Sequence, residues 1–83
     1  MEKITVMIES YGMIKTVLPS TLNIECNHGS DVNSILQKIV RDHANSAPFL
    51  EQCACAIGDD MVSRQAQLYT DSTLVLLSPV AGG

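Results

Sequence analysis

Only one stretch of this chain carries a helical period. The apolar residues Val32, Ile35, Leu36, Ile39 and Val40, followed by His43, recur every three or four positions and line one side of a helix. Asn33, Ser34, Gln37, Lys38, Arg41 and Asp42 fill the opposite side. Ser30 and Asp31 are N-cap candidates, because a short oxygen-bearing side chain can accept from a first-turn N–H. Pro48 biases Ala47 away from helical angles and cannot continue the run, so the helix ends by Asn45. The other regular patterns have a period of two. One helix can cover one face of one sheet, which makes this an α+β chain.

Ile4, Val6 and Ile8 alternate with Thr5, Met7 and Glu9, which predicts a half-buried strand over residues 3–9. Ser10-Tyr11-Gly12 reads as a turn, followed by a loose connection through Lys15 to Pro19-Ser20. Leu22, Ile24 and Cys26 define a second strand that Asn27-His28-Gly29 closes. After the helix, Phe49 and Leu50 cap the core from a short irregular or helical turn. Cys53, Cys55 and Ile57 alternate with two alanines in a third strand, and Gly58-Asp59-Asp60 turns into a short fourth at Met61-Val62. Residues 63–72 read as a polar loop with one helical turn, and Thr73–Leu77 as the last strand.

The order β-β-α-β-β-β is most simply met by a β-grasp roll, a mixed sheet with one main helix packed on one face. Its first and last strands lie side by side in the centre. Both faces of the last strand are apolar, since Leu74 and Leu76 alternate with Val75 and Leu77. One set packs beneath the helix. The other, placed here as Val75 and Leu77, faces outward and is covered by a partner or by neighbouring side chains.

With 83 residues the chain forms one small domain, and 46% hydrophobic against 17% charged residues excludes disorder. Aromatic residues are 4% and Trp is absent, so the core is aliphatic and leaves little room for a deep catalytic cleft. Five basic and nine acidic residues give a net charge of −4, which argues against nucleic-acid binding and fits a basic protein partner. No segment approaches the ~20 apolar residues of a membrane span, and the first residues lack the pattern of a secretory signal. The expected location is the cytoplasm. Cys26, Cys53 and Cys55 are an odd count, and neither they nor His28 and His43 show a metal-ligand spacing. We read the cysteines as small buried hydrophobes, His43 as a helix-edge residue and Asp59-Asp60 as a solvated turn. No metal site is expected.

The domain therefore covers residues 1–77, and residues 78–83, Ser78-Pro79-Val80-Ala81-Gly82-Gly83, form a flexible arm. Pro79 ends sheet pairing and favours extended backbone. Beyond it the side chains shrink to nothing, leaving a thin arm with a carboxylate at Gly83. Six extended residues reach roughly 20 Å.

On these residues the chain resembles the MoaD/ThiS ubiquitin-like sulfur-carrier family, and most of all the MoaD-type small subunit of molybdopterin synthase. Pro79-Val80-Ala81-Gly82-Gly83 looks like the terminus of that subunit. Asp31-Val32-Asn33-Ser34-Ile35-Leu36 sits where the family begins its helix with Thr/Ser-Val-x-x-Leu-Leu, and Ile57–Val62 resembles its Val-Asn-x-x-x-Val hairpin. The chain departs from the pattern in three places. Ser78-Pro79 replaces a double proline, Gly58 stands where the hairpin has Asn, and Ser10–Lys15 lacks an Arg-rich turn.

The resemblance implies a sulfur carrier. An E1-like enzyme of the MoeB type would use ATP and Mg²⁺ to adenylate the Gly83 carboxylate, and a sulfur donor would displace AMP to leave a thiocarboxylate. Pro79, Val80, Ala81 and Gly82 would thread the partner's channel, with Val75 and Leu77 on the docking surface. The MoaE-type large subunit would complete a heterotetramer and receive the sulfur on a cyclic pyranopterin, forming the molybdopterin dithiolene. No cofactor would be held permanently. Three other readings remain open: a carrier for thiazole or another thio-metabolite, a ubiquitin-like protein modifier, and an interaction module without tail chemistry.

Overall fold

The computed structural model describes residues 2–78. Strand β1 spans Lys3–Tyr11 and β2 spans Leu22–Asn27, with a 3-10 turn at Gly12–Thr16 between them. Helix α1 (Val32–Asp42) is followed by a second 3-10 turn at Ala44–Ser46 and a short helix α2 (Ala47–Gln52). Strands β3 (Ala54–Ile57), β4 (Asp60–Val62) and β5 (Ser72–Leu77) complete the chain. The five strands form one sheet in the order β2-β1-β5-β3-β4. β1 and β5 are parallel and central, while the other neighbours are antiparallel. This is the β-grasp roll expected from the alternation.

The period-two and helical patterns meet in a single core. Ile4, Val6 and Ile8 of β1, Ile24 and Cys26 of β2, and Leu74 and Leu76 of β5 face Val32, Ile35, Leu36 and Ile39 of α1. Asp31 caps α1, its carboxylate accepting from the Ser34 N–H at 2.9 Å. Hydrogen bonding from Ser34, first from its side chain and then from this N–H, holds the Asp31 carboxyl below its ordinary value. The helix stops at Asp42, within the predicted limit.

Four details differ from the reading of the sequence. β1 runs two residues past Glu9, so Ser10 and Tyr11 are strand and not turn. The connection after it is a 3-10 turn that buries Ile14 completely, an anchor that a loose loop would not supply. Ala47 adopts helical angles (φ −52°, ψ −51°) despite preceding Pro48. Proline falls in the first turn of α2, where no intrahelical partner for its missing N–H is required, and the buried Leu50 repays the local restriction.

The fourth difference concerns residues 63–72, which contain no helical turn. After a single hydrogen-bonded turn, Ala66 N–H to Ser63 O, they cross the start of α1 as a strap that runs into β5 at Ser72. Val32 N–H donates to the Ala66 carbonyl and Asn33 N–H to the Arg64 carbonyl, both at 2.9 Å, so the strap satisfies first-turn donors that a helix leaves open. Leu68 N–H donates to Ser30 O, and Gly29 N–H to Leu68 O. Arg64 then reaches the end of α2, donating from Nη2 to Leu50 O at 2.6 Å and Cys53 O at 3.0 Å.

Candidate functional site

The last strand presents two faces. Leu74 and Leu76 lie under α1 with no exposed surface. Val75 and Leu77 point the other way, Val75 half-buried and Leu77 38% exposed. Strand register shows what surrounds them. Val75 lies between Glu9 of β1 and Ala56 of β3, and Ala56 is in turn opposite Met61 of β4. Leu77 lies between Tyr11 and Ala54. Tyr11 and Met61 are exposed, as is Met7 further along β1. Neighbouring strands lie ~4.8 Å apart, so these side chains share one surface. Side-chain neighbours thus cover Val75 in part and leave Leu77 open.

Tyr11, Met61 and Met7 extend this surface beyond the two residues singled out from the sequence. Their signal was the odd-numbered parity of β1: Met7, Glu9 and Tyr11 all sit on one face once the strand continues past Glu9. Met61 needed the β3–β4 register, which sequence does not supply.

The chain leaves the sheet beside this patch. The final parallel pair is Tyr11 with Leu77. Ser78 was expected to be the first arm residue, yet it is held by the domain: its N–H donates to the Tyr11 carbonyl at 3.0 Å. Its hydroxyl accepts from Ile14 N–H at 2.8 Å and donates to Tyr11 O at 2.9 Å. Gly12 makes this approach possible. Its φ of +83° is left-handed, and a Cβ there would lie 2.1 Å from the Ser78 carbonyl oxygen. Pro79, Val80, Ala81, Gly82 and Gly83 lie outside the described residues.

The other residues considered for chemistry have structural roles. Cys26, Cys53 and Cys55 are buried free thiols, and burial pushes the Cys53 and Cys55 thiols up, so both are protonated at neutral pH. His43 is the C-cap of α1, its N–H donating to Ile39 O and its carbonyl accepting from Ser46. His28 packs edge-on against Tyr69. Asp59 lies in the β3–β4 turn and Asp60 opens β4, both exposed. Among the described residues, no group of three His, Cys, Asp or Glu is placed to hold a metal ion. No helix among them is long and apolar enough to cross a membrane. A groove of about 450 Å³ lies between α1 and α2, lined by Leu36, Val40, Leu50 and Arg64. It is on the helix side of the sheet, away from Val75 and Leu77.

No protein-family model matches the chain, and no curated protein matches it. Solved structures do. A chain of the protein–protein complex of subunits 1 and 2 of molybdopterin-converting factor from Helicobacter pylori is one such match. The matched chain is 26% identical, with 96% of this chain and 100% of that one covered and a TM-score of 0.68. A protein described as molybdopterin converting factor, subunit 1, from Pyrococcus furiosus is 16% identical over 93% of this chain and 99% of its own, with a TM-score of 0.79. Small archaeal modifier protein 1 from Haloferax volcanii is 12% identical over 93% and 99%, with a TM-score of 0.81. The last two likenesses concern the fold. The chain has the β-grasp fold of the MoaD/ThiS-type ubiquitin-like sulfur carriers.

Proposed function

We propose that this chain is a sulfur carrier, the small subunit of a molybdopterin synthase, acting in the cytoplasm through the Gly83 carboxylate. One observation carries the reading: the full-length likeness, at 26% identity, to a molybdopterin-converting factor subunit in a two-subunit complex. The sequence Pro79-Val80-Ala81-Gly82-Gly83 supports it independently.

A terminal carboxylate is ionised at neutral pH and is a poor electrophile. An E1-like enzyme of the MoeB type supplies Mg²⁺ and ATP. A Gly83 carboxylate oxygen attacks the α-phosphorus, the bond to pyrophosphate breaks, and an acyl-adenylate results. A donor at the oxidation level of sulfide then attacks the carbonyl carbon. AMP leaves, a proton is released, and Gly83 carries a thiocarboxylate.

The carrier's part is reach and fit. Pro79 favours extended backbone, and the small Val80, Ala81 and Gly82 suit a channel too narrow for larger side chains. Val75 and Leu77, with Tyr11 and Met61 around them, dock on the partner. The MoaE-type large subunit forms a heterotetramer with this chain and takes the sulfur onto a cyclic pyranopterin, where two transfers complete the dithiolene.

The test is intact-mass spectrometry of the full chain after incubation with the same organism's E1-like enzyme, Mg-ATP and a sulfide source. A mass gain of one oxygen-to-sulfur exchange at Gly83 is expected. An unchanged mass, with an enzyme that loads another carrier under the same conditions, overturns the proposal. Appearance of an amide between Gly83 and a lysine identifies a protein modifier instead.

A further inference from the structure

The geometry points to Ser78 as a positioning residue: seated in the notch left by Gly12, it fixes the point from which the chain continues toward Gly83. This inference rests on the sulfur-carrier reading for its consequence, though not for its geometry.

Three hydrogen bonds converge on one residue at the end of a strand. Ser78 N–H and Oγ–H both donate to the Tyr11 carbonyl, and Ser78 Oγ accepts from Ile14 N–H. A hydroxyl can donate and accept at a single atom, whereas a methyl group can do neither. The i→i−3 partner of Ile14 N–H in this 3-10 turn is the Tyr11 carbonyl, the same carbonyl that accepts both Ser78 donors, so the Ser78 hydroxyl joins the first hydrogen bond of the turn. Ile14 itself is fully buried in the core, so the bond ties the strand's exit to an immobile element. The 3-10 turn packs on α2 and β5 as well as on β1.

Gly12 completes the seat. Two separate constraints demand glycine there, the left-handed φ and the 2.1 Å that a Cβ would have from Ser78 O. The next residue, Pro79, has no backbone N–H to donate.

The consequence is kinetic. Docking through the exposed sheet face and entry of the arm are separate events. Holding Ser78 removes one residue's freedom from the second, and fixing a residue's backbone restricts its conformations roughly tenfold. Loss of the clamp lowers the fraction of docked complexes whose Gly83 is in place. That lowers kcat and leaves KM, which reports face docking, nearly unchanged.

The full-length Ser78→Ala and Ser78→Thr variants test this in two measurements. In ATP–pyrophosphate exchange with the activating enzyme, Ser78→Ala is expected to lower kcat about five- to tenfold with KM within about twofold of wild type. Ser78→Thr, which keeps the hydroxyl, restores kcat. In the isolated protein, Ser78→Ala speeds amide exchange at Ile14 and lowers the ¹⁵N order parameter at position 78, and Ser78→Thr leaves both near wild type. Unchanged exchange and order in Ser78→Ala overturn the positioning role, whatever the kinetics. Altered order with an unchanged kcat overturns the consequence. If wild-type protein is never adenylated, the carrier reading fails by itself, and exchange and relaxation still decide the clamp.

Discussion

Leu76 and Leu77 are adjacent, chemically identical, and placed in opposite environments. Leu76 has no exposed surface and packs under α1, whereas Leu77 is 38% exposed beside Tyr11. The same division runs across the central strands, with Val6 and Ile8 inside and Met7 and Tyr11 outside. A sheet with helices on one face has one core, and that face supplies nearly all of the apolar burial. The opposite face is then available for recognition with little cost to folding. Met7, Tyr11, Met61 and Leu77 are exposed on it, with Glu9 among them.

Leu76→Ala gives the largest expected effect. It opens a cavity in the core beneath α1 and is expected to cost about 3 kcal/mol, read as a lower urea midpoint at unchanged slope. Leu77→Glu sharpens the contrast, with a stability change within about 0.5 kcal/mol. Its affinity for the large synthase subunit, measured by titration calorimetry, should fall about tenfold or more. Equal destabilisation by the two changes would break the division between faces.

The smallest effect lies away from both faces, at the cap of α1. Asp31 accepts from Ser34, so its carboxyl titrates lower in the folded chain than in the unfolded one. The stability it adds is present above the unfolded value, near 4, and is lost as pH falls through the lower folded value. Asp31→Ala should therefore reduce the thermal midpoint slightly at neutral pH. That deficit should shrink as the pH is lowered from about 4 toward the acid limit, as followed by circular dichroism.

The elements that were legible are those whose pattern repeats. Val32, Ile35, Leu36 and Ile39 define α1, and Ile4, Val6 and Ile8 define β1, because a buried face imposes its own period on the sequence. The doubly apolar last strand also identified itself as central. Misread positions were those where local preference and tertiary context disagree. Ser10-Tyr11-Gly12 has turn composition, yet pairing of Ser10 and Tyr11 with Leu76 and Leu77 keeps the strand going. Residues 63–72 are polar because they cross the surface, yet their carbonyls serve the α1 N-terminus. Of the candidate site, Val75 and Leu77 could be named from alternation alone. Tyr11, Met61 and Gly12 could not, since each is brought there by a strand pairing or a contact from a distant part of the chain.

By itself the sequence determined the main helix, the strands' inward faces, the β-grasp order and the small-residue run Val80–Gly83, all of which are written in local period or in side-chain size. Tertiary structure alone decided that Ser78 belongs to the domain, that Ile14 anchors its neighbour, and that Met61 joins the patch around Val75. The reason is separation along the chain. Ser78 meets Ile14 across a sequence distance of 64 residues, and no local pattern encodes a hydrogen bond between such partners.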